Sequence, residues 1–153
     1  MKLFNNVKVL SKVDFDDLMR EMNFNLDNVE SEDCIFISIH SSDKVGNNSE
    51  PYFSENRKNV LNMVFDDIES KDSNSDNILF DDDMVDIILS FLENNDTVSK
   101  CVVHCLAGIS RSGAVGTFLI NYFGWDYSIF KKLNPDIKPN GLVMRKLNRT
   151  LWF

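Results

Sequence analysis

The stretch Val102-Val-His-Cys-Leu-Ala-Gly-Ile-Ser-Arg-Ser-Gly113 decides the reading of this chain. Its β-branched start reads as the end of a buried strand. The small and apolar residues from Ser112 to Phe123 read as a helix packed on a sheet. Between them lies a loop that begins at Cys105 and closes at Arg111. Successive amides in such a loop converge into an anion-binding nest, and a helix starting near Arg111 aims its positive end at the same point. A thiol held there loses its proton readily. Arg111 adds a planar fork that matches two oxygens of a phosphate, and Gly108 permits a backbone conformation that a side chain would obstruct. The result is a nucleophile inside a phosphate-sized cradle. His104, Cys105, Gly108, Arg111 and Ser112 at these spacings arise by chance in about 2 of 100,000 chains with three cysteines, so the pattern is specific.

The rest of the chain supplies the frame for that loop. Residues 2–10 read as a first strand and residues 14–22 as a short helix with acids at its start. Cys34-Ile-Phe-Ile-Ser-Ile39 is a compact apolar run of a buried strand, and residues 41–56 are a polar loop. Asn59-Val-Leu-Asn-Met-Val-Phe65 reads as a third strand that ends in Asp66-Asp67, followed by a second polar loop over residues 68–77. Asp81 reads as a helix cap, with Met84, Ile87, Ile88, Phe91 and Leu92 as the apolar stripe behind it. Two further helices are expected over residues 125–133 and 139–151, with Pro139 at a first helical position, where it wastes no amide. Alternating strands and helices imply an α/β fold: a single domain over residues 1–153, with a mostly parallel central sheet of about four or five strands flanked by helices.

Composition narrows the function classes. The chain has 153 residues and a formal net charge of −8, which disfavours the cationic face needed for nucleic acid. No apolar run approaches the length of a membrane span, and no signal peptide is evident at the N-terminus. Three cysteines do not make a disulfide framework, so a cytoplasmic setting is expected. The eighteen asparagines are scattered and mark no motif.

At His104-Cys105-Leu-Ala-Gly-Ile-Ser-Arg111-Ser112 the sequence resembles the cysteine-dependent protein tyrosine phosphatases, in particular the dual-specificity type of compact bacterial and phage members. Asn59 to Asp67 looks like the strand leading to the family's general-acid loop, and Asp136-Ile-Lys-Pro-Asn140-Gly-Leu-Val143 like its C-terminal Pro-Asn turn. The resemblance implies that Cys105 attacks phosphorus and forms a phosphocysteine. Arg111 and the amides of Leu106, Ala107, Gly108, Ile109 and Ser110 would hold the phosphoryl oxygens. Ser112 would ease departure of the sulfur, and His104 and Asn140 would support the loop. An aspartic acid would protonate the leaving oxygen. Asp67 is preferred, with Asp66 and Asp72 as alternatives; Asp67 precedes Cys105 by a longer interval than most family members show. No metal and no cofactor is expected, and the partner is a phosphorylated protein or a small phosphomonoester acted on by a monomer. The alternative is a catalytically impaired phosphate-binding module of the same fold.

Blander readings stand beside these. Asp66-Asp67 also fits an ordinary acidic turn after a strand. Asp81-Asp82-Asp83 invites a metal reading but is better explained as a helix start that complements the dipole. Cys34 and Cys101 read as core residues, with a resolving thiol for oxidised Cys105 as the alternative. Trp125, Phe130 and Trp152 read as core.

Overall fold

The computed structural model describes residues 6–42, 50–71 and 76–151, so the expected strand residues 2–5, the candidate acid Asp72 and the core candidate Trp152 lie outside the described part. Four strands form the sheet: β1 (Asn6–Leu10), β2 (Cys34–His40), β3 (Val60–Val64) and β4 (Lys100–His104). All neighbours are parallel, in the order β1-β4-β2-β3. β2 lies inside the sheet and every one of its residues is buried, which is why it reads as an unbroken apolar run.

Two cores result from the alternation of side chains across this sheet. On one face Ile35, Ile37, Ile39, Val103 and Cys105 pack with residues of α2 (Asp82–Glu93), α3 (Arg111–Phe123), α4 (Tyr127–Leu133) and α5 (Gly141–Asn148). On the other, Cys34, Phe36 and Val60 pack with Phe53 and with Phe15 and Met19 of α1 (Lys12–Glu21). Phe130 is fully buried and Trp125 half-buried against the first core.

Caps fix the helix starts. Ser11 caps α1 by accepting from the Asp14 amide, so the helix starts at Lys12, two residues earlier than the acidic run suggested. Asp81 caps α2 and accepts from Met84, while Asp82 pairs with Lys146 at 2.9 Å. Ile87 does not belong to the buried stripe: it is 48% exposed, and Val85 takes the inward place beside Ile88 and Leu92. Pro139 does not open α5 either. Asn140 is the cap and accepts from the Val143 amide, so Pro139 stands before the cap, two residues ahead of the first helical residue, Gly141. Asparagine outcompetes the proline there because its side chain satisfies an otherwise unpaired helix amide. Among the described residues no helix is long and apolar enough to cross a membrane.

The asparagines, unread in the sequence, turn out to clamp backbone. Asn134 is buried; its Oδ1 accepts from Val9 N at 2.7 Å and its Nδ2 donates to Val7 O at 2.8 Å, closing the outer edge of β1. Asn59 Nδ2 donates to Val29 O and Cys34 O, and Asn95 Nδ2 to Lys58 O and Phe91 O. Removing the Asn134 amide leaves two buried strand groups without partners, each worth about 1–3 kcal/mol. Asn134→Ala should therefore lose about 2–4 kcal/mol of stability in urea unfolding; a loss below about 0.5 kcal/mol would mean that water replaces the clamp freely.

Candidate active site

β4 ends at His104 and α3 begins at Arg111, so residues 105–110 form the loop that joins them. The loop's carbonyls are drawn outward by donors from four directions. Cys105 O lies 3.3 Å from His104 Nδ1, and Leu106 O accepts from Lys12 N at 3.1 Å. Ile109 O accepts from Lys138 N, and Ser110 O from both Ala114 N and Asn140 N. With those carbonyls engaged outside, amides face the centre, the arrangement that binds anions. Gly108 makes the turn possible: its φ is +74°, and a Cβ there would meet the backbone of Leu10 and Ser11.

Cys105 sits at that centre, 2% exposed, with its Sγ 3.0 Å from Ser112 Oγ. Burial pushes its thiol up, but the Ser112 hydroxyl and the amides of Ser112, Ile109 and Gly108 outweigh that and hold it below its ordinary value. The other thiols differ. Burial raises Cys34 to about 12 and pushes Cys101 well above its usual value. Cys101 precedes Cys105 by four residues along the strand, about 13 Å, and Cys34 pairs with Lys100 at the far end of β4. Neither can bridge to Cys105 without unravelling the sheet. Both are core residues.

Arg111 is 5% exposed, and one guanidinium nitrogen, Nη1, donates to Ser41 Oγ and to Phe65 O, both at 2.9 Å. Its buried Nε has no partner among the described residues, so part of the fork is left for an oxyanion. Ser110 is the residue before α3, yet its hydroxyl does not cap the helix; it donates to Asp67 Oδ1 at 2.7 Å instead. The amide end of α3 therefore stays available to an anion.

The two adjacent acids have different surroundings. Asp66 is buried and accepts from Ser42 N, Ser42 Oγ and Ile78 N at 2.6–3.0 Å. Burial pushes its carboxyl up, but those bonds and the Arg111 charge hold it below its usual value, so it is an ionised clasp between two loops. Asp67 is exposed, and one of its oxygens accepts from Ser110 Oγ and from Asn140 Nδ2 at 2.9 Å. Asn140 also donates to Ile68 O, so it ties the 66–68 segment to the start of α5.

The structure thus brings His104, Cys105, Gly108, Ser110, Arg111, Ser112, Asp67 and Asn140 to the C-terminal edge of the sheet. Leu106, Ala107 and Ile109 are exposed on the same loop. Sequence reasoning missed Ser41 and the clasp of Asp66, because neither belongs to a local pattern; each acts on a residue far along the chain. Among the described residues no group of three or more His, Cys, Asp or Glu is placed to hold a metal ion, and Asp81 to Asp83 serve the helix start.

Comparison with solved structures agrees on the fold. The chain is similar to the human tyrosine phosphatase-like serine/threonine/tyrosine-interacting protein, at 19% identity over 82% of each chain with a TM-score of 0.53. It is similar to the Cydia pomonella PTP-2 phosphatase, at 14% identity over 97% of this chain and 87% of that one, TM-score 0.54. Tk-PTP in its active form matches at 17% identity over 94% and 90%, TM-score 0.50. No family model matches the sequence, and neither does any curated protein. The α/β fold is that of the tyrosine phosphatase-like proteins.

Ser112 gives a direct test of the thiol's surroundings. A hydrogen bond to a charged group is worth about 1.5–3 kcal/mol, or about one to two pKa units. Ser112→Ala should raise the midpoint of Cys105 alkylation by about that much, read from iodoacetamide rates against pH. An unchanged midpoint would mean that the hydroxyl does not hold the thiolate.

Proposed function

We propose that the chain is a metal-independent phosphomonoester hydrolase of the protein tyrosine or dual-specificity type, working through a phosphocysteine on Cys105. The observation that carries this reading is the buried thiol at 3.0 Å from Ser112 Oγ, held below its ordinary pKa inside a ring of loop amides with Arg111 beside it. In the first step the Cys105 thiolate forms a bond to phosphorus as the ester P–O bond breaks. Asp67 gives its proton to the leaving oxygen. In the second, water attacks phosphorus, its proton passes to the Asp67 carboxylate, and the P–S bond breaks. Ser112 stabilises the departing thiolate, and the loop amides with Arg111 hold the equatorial oxygens throughout. Asp67 suits the acid's part better than Asp66, because Asp66 already has both oxygens engaged, while both bonds to Asp67 fall on Oδ1 and, among the described residues, no donor holds Oδ2.

The chain acts in this reading as a single-domain monomer in the cytoplasm, with no cofactor and with phosphorylated proteins or small phosphomonoesters as substrates. Three unbridged cysteines suit a reducing compartment. The loop carries no lysine besides Arg111 as a cation, so a substrate with several phosphates meets no extra neutralising charge there.

Turnover of para-nitrophenyl phosphate is the test. Activity should survive EDTA, be blocked by vanadate and vanish in Cys105→Ser; phosphate binding without turnover would instead favour an impaired phosphate-binding module, and a need for added divalent metal would overturn the mechanism.

Asp67 is tested through the leaving group. Asp67→Asn should slow hydrolysis of a tyrosyl phosphate by about 100- to 10,000-fold, and slow an ester of a more acidic phenol less. Asp66→Asn on folded protein is the comparison, and the same leaving-group pattern in that variant, with Asp67→Asn like wild type, would move the acid to Asp66.

A further inference from the structure

Beneath the loop, on the face of the sheet that packs against α1, a cluster of buried polar side chains interrupts an aromatic core. Lys12 is 3% exposed and its Nζ lies 2.5 Å from Asp16 Oδ2. Ser38 and His104 face each other across the β2–β4 pair, and both are fully buried. His40, two residues beyond Ser38 on the same face, is 8% exposed and sets its ring edge-on to that of His104, with centroids 5.5 Å apart. Phe15 covers the His104 ring at 4.2 Å. Among the described residues four buried atoms of this group have no hydrogen-bond partner: Asp16 Oδ1, Ser38 Oγ, His40 Nε2 and His104 Nε2. Polar atoms so deeply buried are almost always satisfied, and where they cluster in a polar cavity the partner is enclosed water.

Both imidazoles are neutral. Burial lowers His40 to about 4, helped by the Lys12 charge and opposed by Asp16; burial lowers His104 to about 3, with His40, Lys12 and Arg111 adding to it. A neutral imidazole has one donor and one acceptor. His104 Nδ1 faces the Cys105 carbonyl, an acceptor, so the proton belongs on Nδ1 and Nε2 is a bare acceptor in need of a donor. Lys12 has two N–H groups beyond the one on Asp16. Its backbone amide also holds Leu106 O, so one residue reaches the loop from both ends.

We propose that Lys12 is a positioning residue: through water enclosed with Ser38 and His40, its buried ammonium supplies the donor that keeps His104 in the Nδ1–H tautomer, and His104 thereby holds the Cys105 carbonyl away from the sulfur. The ionisable groups that act on His104 are Lys12 from α1, His40 from β2 and Arg111 from α3, and Asp16 of α1 acts on His40. Of these, Lys12 is the one on a separate element whose backbone amide bonds the loop. If the Cys105 carbonyl turned inward, its negative end would oppose the thiolate, so the effect reaches the nucleophile without Lys12 touching it. This rests on the reading of Cys105 as a phosphatase nucleophile, but its consequence can be read without any substrate.

The test uses the full chain and two signals: the His104 ring nitrogen shifts, which report the tautomer, and the pH midpoint of Cys105 alkylation by iodoacetamide. Wild type should show His104 protonated on Nδ1 at neutral pH. Lys12→Met should move it to a mixture or to Nε2–H and slow alkylation at a pH below the midpoint about tenfold. Because Lys12→Met leaves the Asp16 carboxylate unpaired, Lys12→Met with Asp16→Leu is the second variant, with the same outcome expected. An Nε2–H tautomer in wild type, or a folded double variant with unchanged tautomer and midpoint, overturns the proposal. Failure to hydrolyse any phosphomonoester while these shifts occur would instead sink the proposed activity and leave the role of Lys12 standing.

Discussion

The structure depends on one constraint: the carbonyls of residues 105, 106, 109 and 110 must point away from the centre of their loop. A peptide unit that turned inward would place a partial negative charge beside the Cys105 sulfur, whose pKa the present arrangement lowers, and beside any anion bound there. The fold prevents this by surrounding the loop with donors rather than by making it stiff. Lys12 N from the start of α1, His104 from β4, and Lys138 N and Asn140 N from the approach to α5 each take one carbonyl. These segments come from opposite ends of the chain, so the cradle cannot form before the sheet and both helical layers are in place. The geometry of the candidate site and the global fold are in this sense a single requirement.

Local charge at the site runs opposite to that of the molecule. The chain carries −8 overall, yet the centre of the loop is positive, because oriented amides, a helix end and Arg111 converge there over a few ångströms. Net charge acts at long range and is screened in about 8–10 Å at physiological salt, whereas the loop acts within contact distance. A carboxylate beside the site is recruited as well. Asp66 stays ionised because two loops bond to it, and its charge helps compensate the buried Arg111.

The strand-loop-helix turn at residues 105–110 and the strands were legible because their signals are local. A strand buried on both faces must be an apolar run, as at Cys34 to Ile39, and a loop that must turn at Gly108 and close on an arginine leaves its spacing in the sequence. What stayed hidden was set by partners distant along the chain. Nothing near Asn134 announces that it will close β1, more than a hundred residues away, and nothing near Ser41 points to Arg111. Asp66 and Asp67 are neighbours of identical chemistry, and only the amides of Ser42 and Ile78 on one and the side chains of Ser110 and Asn140 on the other separate them. The start of α5 was misplaced by two residues, because a proline near a helix start fits either inside the first turn or ahead of the cap, and the capping side chain of Asn140 selected the second. Ile87 was misread because a stripe of apolar residues fixes a helical face only to within about one residue.

The asparagine clamps bear on how another protein could approach. Asn134 occupies the backbone groups of Val7 and Val9 on one margin of the sheet. At the other, Asn56 Oδ1 takes the Asn62 amide, and Arg57 pairs with Val60. At these positions the backbone has no unpaired ladder to offer, so an extended peptide cannot be recognised there by joining the sheet as a further strand. Under the proposed function, a phosphorylated segment would instead be read end-on, by its phosphate and by whatever side chains meet the exposed Leu106 and Ile109 around the loop, which would make sequence preference a matter of the rim rather than of the sheet.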